Sequence, residues 1–93
     1  MHVESLRFEL FLPHCHSLKE KRAAVKPIIE GVRRRYQAAA AEVDHQDKWQ
    51  RAAVGVAVVS ASARHAREVM AAIERFVWSF PEVEVVGTEE VDA

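Results

Sequence analysis

The sequence is poor in cysteine and has no long hydrophobic run. A single cysteine, Cys15, excludes a disulfide within the 93-residue chain and is typical of proteins from a reducing compartment. No apolar run approaches the roughly 20 residues that span a bilayer, and residues 1–12 alternate polar and apolar side chains where a signal peptide would have an apolar core. The sequence therefore predicts a cytoplasmic protein that does not associate with a membrane.

Several familiar site motifs are also missing. The three glycines are dispersed, which excludes a glycine-rich phosphate loop, and neither a C-x-x-C nor an H-E-x-x-H spacing occurs. We therefore predict no cofactor.

The charges are unevenly distributed along the chain. The composition, 49% hydrophobic and 29% charged, argues against disorder, and the length suits a single domain over residues 1–93. The net charge of −1 hides a segment, residues 17–37, that holds seven of the thirteen basic residues and two of the fourteen acidic ones. The last twelve residues hold five acids and no base. A surface polarised in this way suits a charged partner or a second copy of the chain.

The first half of the sequence predicts a strand followed by a helix. Residues 3–12 alternate as in a strand with one wet face, and Pro13 ends it. Ser17 and Glu20 have the spacing of a capping box, so the helix is predicted to begin at Ser17. The apolar stripe predicted to face the core consists of Leu18, Val25, Ile28, Ile29, Val32 and Tyr36.

The second half predicts a hairpin, a helix and a strand. Residues 38–44 are a weak alanine-rich strand, and residues 52–60 are a strong strand with valines on one face and small residues on the other. The sequence does not decide which of these faces meets the helices. A second helix begins near residues 60–62, Pro81 ends it, and residues 83–88 alternate as a last strand.

This order predicts an α+β protein with a ferredoxin-like βαββαβ sandwich, in which two helices cover one face of a four-stranded antiparallel sheet. In this topology three loops converge at one end of the sheet, which we call the loop pole. They are residues 14–16, the polar turn between strands two and three, and residues 79–81. The candidate residues of the turn are Asp44, His45, Asp47, Trp49 and Arg51.

Two kinds of chemistry are conceivable at the loop pole. The residue types suit a metal ion, for which the weak candidates are His14, Cys15, His16 and His45. They also suit an enzyme, with Asp44 or His45 as a general base and Cys15 as a nucleophile at the start of a helix. A structural use of one cysteine and scattered histidines is more common than either, so no catalytic residue and no metal ligand is predicted.

The first helix carries a basic surface. Its candidate residues for binding an anion or RNA are Lys19, Lys21, Arg22, Lys26, Arg33, Arg34 and Arg35. Cations near a helix N-terminus are unfavourable unless an anion neutralises them. Either Asp44 and Asp47 supply that charge from within the protein, or a phosphate, such as one of RNA, binds there.

Three segments of the sequence resemble one family. They are S-L-K-E-K-R at residues 17–22 with the preceding L-P, A-E-V-D-H-Q-D-K-W-Q-R-A at residues 41–52, and G-V-A-V-V-S at residues 55–60. The chain is similar to the YlxP-like family of small bacterial proteins, a domain of unknown function. The resemblance implies a ferredoxin-like fold, and the frequent position of the family's genes beside those of translation factors implies an association with RNA or the ribosome.

The sequence thus favours a binding module without enzymatic activity. Its predicted partners are RNA or a ribosomal component, contacted through the first helix, and further copies of the same chain. The alternative is a protein that binds a small ligand or a metal, or an enzyme, with its site at the loop pole formed by His14–His16 and Asp44–Trp49.

Overall fold

The computed structural model describes residues 1–91; Asp92 and Ala93, which belong to the predicted acidic tail, lie outside the described residues. The elements follow in the order β1 (His2–Phe11), α1 (Leu18–Tyr36), β2 (Ala39–Asp44), β3 (Arg51–Ser60), α2 (Ala63–Trp78) and β4 (Glu84–Glu90). The four strands form one sheet in the order β2-β3-β1-β4, in which all neighbours are antiparallel. The predicted ferredoxin-like sandwich is confirmed.

Both helices begin at the serines that the sequence indicates. The Ser17 side chain accepts a hydrogen bond from the backbone N–H of Glu20, and the Ser62 side chain accepts one from that of His65. Each serine satisfies a donor that the first helical turn leaves without an intrahelical partner. These caps fix where α1 and α2 begin, and therefore where their side chains project.

The hydrophobic core lies between the helices and one face of the sheet. On β3 the valines at positions 54, 56 and 58 are buried in this core, so the valine face meets the helices. From the helices the core receives Val25, Ile28, Val32, Ile73 and Val77, among others. The small residues of β3 consequently lie on the opposite face of the sheet, which we call the outer face.

A close contact between the helices explains the glycine within α1. Gly31 lies against the ring of Phe76 on α2, and a β-carbon at position 31 would overlap that ring. Phe76 is itself held by edge-to-face contacts with Tyr36 and Phe80. Glycine costs roughly 1 kcal/mol relative to alanine within a helix, and here the close packing of the ring offsets that cost.

Among residues 1–91, no helix is long and apolar enough to cross a membrane.

Candidate functional site

Lys21 is the only polar or charged residue that is buried among residues 1–91, with 1% of its surface exposed. Its ammonium group lies beneath α1, where Nζ donates hydrogen bonds to the backbone carbonyls of His45, at 2.7 Å, and Arg51, at 3.4 Å. The prediction that Lys21 helps to bind an external anion is therefore wrong, because its charge is used inside the protein. Lys21 instead connects α1 to both ends of the turn between β2 and β3.

Glu42 neutralises this buried charge. It lies on β2 opposite Val54, on the face of the sheet that meets the helices, and its Oε2 is 2.9 Å from Nζ of Lys21. No donor is aligned with this buried oxygen well enough for a hydrogen bond, so the contact is an ion pair. The sequence allowed Asp44 and Asp47 to neutralise the cations at the start of α1, but Glu42 is the partner of Lys21. An irregularity in the pairing of β2 with β3 between Glu42 and Asp44 turns Asp44 to the other face of the sheet, so that Glu42 alone of the two lies beneath α1.

A second group of charges lies on the outer face at the loop pole, and we call it the charge network. It consists of Arg7, Glu9, Asp44, His45 and Arg51. Arg7 donates to Oε1 of Glu9, at 2.6 and 3.0 Å, and to Oδ2 of Asp44 at 3.1 Å. The other carboxylate oxygen of Glu9 lies 3.1 Å from Nε2 of His45 and 3.2 Å from a guanidinium nitrogen of Arg51.

The hydrogen bonds of the charge network shift the pKa values of its carboxyl groups. Burial raises the pKa of the Glu9 carboxyl, but hydrogen bonds from Arg7, Arg51 and His45 outweigh burial and hold that pKa below its usual value. The backbone N–H of His45, and then the guanidinium of Arg7, lower the pKa of Asp44. Glu9 is therefore ionised and only accepts hydrogen bonds, so Nε2 of His45 carries the proton that it donates.

The charge network explains the alanine at position 53, near the start of β3. Neighbouring strands are about 4.8 Å apart, so β1 and β2 are separated by about 10 Å, with β3 between them. The hydrogen bond from Arg7 to Asp44 spans this gap and passes over β3. Ala53, which pairs with Glu9 on one side and Asp44 on the other, has no exposed surface although it faces outward. A larger side chain at position 53 would occupy the space of the charge network.

The loop that follows β1 is joined to the turn by one side chain. The amide of Gln50 donates to the carbonyls of Pro13 and Cys15, each at 3.3 Å. A groove between the start of α1 and the end of α2 is lined by His14, Cys15 and Phe80, among others. The predicted convergence of the three loops is thus what the structure shows.

The loop pole has little of the chemistry that the alternative hypotheses require. Cys15 is buried, and burial, followed by the nearby charge of Glu20, raises the pKa of its thiol, whereas a nucleophilic cysteine requires a lowered one. His14 and His16 are exposed. In the part of the chain from residue 1 to 91, no three His, Cys, Asp or Glu side chains are grouped so that they could hold a metal ion.

The tip of the turn is exposed. Residues 46–49 are all open to solvent, and 53% of the surface of Trp49 is exposed. His45, which precedes them, has a positive φ of 61°, a left-handed conformation with which the backbone turns sharply at this point. Of the five turn candidates, Asp44, His45 and Arg51 belong to the charge network, while Asp47 and Trp49 lie exposed at the tip.

The remaining basic residues of α1 form one exposed surface, which we call the basic stripe. It consists of Lys19, Arg22, Lys26, Arg33 and Arg34. The spacings of three and four residues from Lys19 through Lys26 place these side chains about 5–6 Å apart on one side of the helix. Arg35 projects in another direction, with its guanidinium 4.9 Å from the centre of the Phe76 ring. The helix thus divides the seven predicted cations into one that is buried, one above an aromatic ring and five on the basic stripe.

A groove of about 360 Å³ runs between the basic stripe and the edge strand β2, and it is lined by Arg22, Lys26 and Arg33. Arg33 donates from Nε to the carbonyl of Ala40 at 2.9 Å, which covers part of the free edge of β2. Glu30 is the one acid within the stripe, 3.9 Å from Lys26 and 3.8 Å from Arg34. These distances are long for ion pairs between exposed groups, so the stripe stays largely positive.

The sequence missed three residues of these clusters: Arg7, Glu9 and Glu42. For Arg7 and Glu9 the signal was their alternation with Phe8 and Leu10, which places two opposite charges on the wet face of β1. For Glu42 the signal was its position two residues after Ala40, on the buried side of β2. These signals became informative only once the faces of the sheet were known.

Comparisons with known proteins agree with this structure. The family model described as "Protein of unknown function (DUF503)" matches residues 3–90. The uncharacterized protein YlxP of Bacillus subtilis (strain 168) is 40% identical over 68 residues, which cover 73% of this chain and 74% of that protein. A de novo designed protein with a ferredoxin fold, solved by NMR in solution, superimposes with a TM-score of 0.60 at 14% identity, covering 100% of this chain and 88% of the design. The chain therefore belongs to the DUF503 family of proteins of unknown function and is YlxP-like.

Proposed function

We propose that this protein is a binding module without enzymatic activity that contacts RNA, free or within a ribosomal particle, through the basic stripe of α1. The observation that carries the proposal is that five cationic side chains remain exposed on one side of one helix, with Glu30 as the one acid among them. Phosphate groups are the ligands that such a surface attracts, because each cation that neutralises a phosphate releases a condensed counterion. The resemblance to the YlxP-like family points to the same class of partner.

The groove beside the basic stripe supports a nucleic-acid backbone as the ligand. Three of the cations line a continuous groove between α1 and β2, so phosphates that follow one another along a strand can meet them in turn. Two acids also line the groove, Glu30 and Glu42. Glu42 is already paired with Lys21 and does not repel an incoming phosphate as a free carboxylate would, and three cations of the groove outnumber Glu30. The binding surface is therefore more positive than the net charge of −1 suggests.

Trp49 supplies a surface for an unpaired base. The hydrogen bond from Lys21 to the carbonyl of His45 holds the turn beside the first turns of α1, so the turn that carries the exposed Trp49 lies near the N-terminal end of the basic stripe. Stacking of a base on an aromatic side chain contributes about 1–3 kcal/mol and tolerates any sequence. We therefore expect a preference for RNA that has single-stranded loops or ends over a fully paired duplex.

The experiment compares two variants that remove equal charge from different helices. Arg22→Ala/Lys26→Ala removes two cations from the basic stripe, and Arg67→Ala/Arg75→Ala removes two from exposed positions on α2. Binding to a fluorescently labelled RNA hairpin is followed by anisotropy over a series of salt concentrations. The stripe variant should reduce the slope of log K against log salt concentration by about 1.4–1.8, which is 0.7–0.9 for each lost phosphate contact, and the α2 variant should change it little.

Equal losses in both variants would mean that binding follows net charge alone, and the proposal would then be wrong. Absence of salt-dependent binding by the unaltered protein would also refute it. A third variant, Trp49→Ala, should weaken binding to the hairpin but leave the slope unchanged, because stacking releases no counterion.

A further inference from the structure

Four of the eight large apolar side chains that remain exposed among residues 1–91 are valines on the outer face of the sheet. Val3 and Val59 are paired across β1 and β3 on this face, and 40% and 65% of their surfaces are exposed. Val43, at an irregularity in the pairing of β2 with β3, lies against Gly55 on the same face and is 49% exposed. Val91 follows β4 and is 45% exposed. Single exposed apolar residues are normal on a protein surface, but four exposed valines on one face form a patch that calls for an explanation.

Between these valines the outer face is hollow. A shallow depression of about 470 Å³ is lined by small residues of the two central strands and of β2, which include Ser5, Ala39, Ala41, Gly55 and Ala57, and Val43 and Val91 also line it. We call it the outer depression. The charge network covers β3 at Ala53, toward the loop pole. It does not extend over the section of β3 that lines the outer depression.

We propose that the outer depression and its valines form the contact surface for a second copy of this chain, so that two sheets pack face to face about a two-fold axis. Valines on the rim of one copy would then fill the hollow of the other, as the self-complementary patch of a two-fold interface requires. The helices lie on the other side of each sheet, so the basic stripes of both copies stay exposed.

The charges on this face favour a second copy over a nucleic acid. Two arginines and two carboxylates of the charge network neutralise one another. The exposed acids Glu84 and Glu89 of β4 pair with Phe11 and Arg7 on the same face, so the outer face offers no excess of positive charge to a phosphate backbone. Its depression is lined mostly by small and aliphatic residues, with no aromatic ring on which a base could stack. The one charged residue of the lining, Arg7, is already paired within the charge network. The depression itself is mostly apolar and its one charge is paired, and such a surface is best matched by another of the same kind.

The area available is enough for a weak, specific dimer. Four strands about 4.8 Å apart and about 25 Å long present a flat area of about 500 Å² per copy, or about 1,000 Å² for two. Because protruding side chains make the accessible area of a face larger than its flat area, the buried accessible area comes close to the ~1,200 Å² at which stable interfaces begin. We therefore expect a dissociation constant of about 1–100 μM.

The test is the molar mass in solution over a concentration series, measured by sedimentation equilibrium on the full chain. The unaltered protein should approach twice the 10.5 kDa chain mass at several hundred micromolar. Val59→Lys, at a position that is already 65% exposed, should weaken the dimer at least tenfold without affecting folding, and Ala57→Glu should do the same from the centre of the depression. Ala71→Glu, an equal change of charge on the exposed side of α2, is the matched control and should leave the dimer unchanged.

A methyl NMR dilution series locates the contact independently. The resonances of Val43, Val59 and Val91 should shift with concentration, while those of the core residues Val25 and Val32 should not. A monomeric mass at all concentrations would overturn the proposal. A dimer that survives both Val59→Lys and Ala57→Glu would overturn it as well, because its interface would then lie elsewhere.

Discussion

Replacing the buried lysine should destabilise the protein far more than replacing an exposed lysine of the same helix. Lys21→Met keeps the length and the helix propensity of the side chain but removes the charge and three donors. It leaves Glu42 without its counterion and withdraws hydrogen bonds from the carbonyls of His45 and Arg51. The perturbation is therefore the removal of one partner from a buried ion pair.

The expected magnitude follows from the exposure of the partner. Removing one member of a fully buried pair costs about 3–5 kcal/mol, because a charge is left uncompensated. The Glu42 side chain is 20% exposed, so water or a proton can relieve part of this cost. Loss of the hydrogen bonds to the carbonyls adds about 1 kcal/mol each where water does not replace them. We expect the free energy of unfolding to fall by about 2–4 kcal/mol.

The assay is urea denaturation at pH 7, followed by far-UV circular dichroism. The matched control is Lys26→Met, which removes a lysine that is 72% exposed and 3.9 Å from Glu30, and which should change the free energy of unfolding by less than about 0.5 kcal/mol. The double variant Lys21→Met/Glu42→Leu should recover much of the loss, since replacing both partners leaves no unpaired charge. If Lys21→Met cost no more than Lys26→Met, the assignment of Lys21 as a buried connection between α1 and the turn would be wrong.

Three further outcomes are expected. Because the pKa values of Glu9 and Asp44 in the folded protein lie below their ordinary values of 4.5 and 3.8, their stabilising effect is complete above about pH 4.5 and is lost as the pH falls through the folded values. Thermal denaturation between pH 6 and pH 2.5 should show this loss, and Glu9→Gln should flatten the curve; an unchanged curve would contradict it. Gly31→Ala should lower the free energy of unfolding by about 1 kcal/mol in spite of the better helix propensity of alanine, because the methyl group displaces the ring of Phe76, and a gain in stability would show that the ring moves freely. Cys15 should react with a thiol reagent at pH 7 more slowly than a free thiol until urea is added, and rapid labelling of the native protein would contradict its burial.

The fold was predictable from the sequence because local and long-range signals agree. The alternation in β1, the capping serines and the alternation of valines with small residues in β3 each indicate the same sandwich. The boundaries moved by only one or two residues, as at β3, which begins at Arg51. What remained open was the orientation of β3, since valines and small residues can both face a helix.

The candidate site was less predictable because it depends on contacts between distant segments. Lys21 falls on the same helical stripe as Val25, Ile28 and Val32, at intervals of three and four residues, so the helical pattern did contain the signal of its burial. Its neighbours in sequence, Lys19 and Arg22, suggested an exposed basic cluster instead. Only the position of Glu42, 21 residues later, makes the burial of a charge favourable.

The small residues of β3 show the same limit. The sequence did not decide whether this side of the strand meets the helices. In the structure the helices lie on the other side, and at Ala53 side chains from β1 and from the end of β2 lie over the strand instead. Ala57, which lines the outer depression, is left partly exposed. A network whose members come from three segments of the chain has no local sequence signature.

The most direct test of the central claim, that the basic stripe is the binding surface, is an NMR titration of the full chain with a short RNA hairpin. Backbone amide shifts should concentrate on α1 between Lys19 and Arg34, accompanied by the indole N–H of Trp49, while the amides of α2 remain unchanged. Shifts that map instead to the charge network on the outer face, or no shifts at millimolar RNA in low salt, would contradict the account.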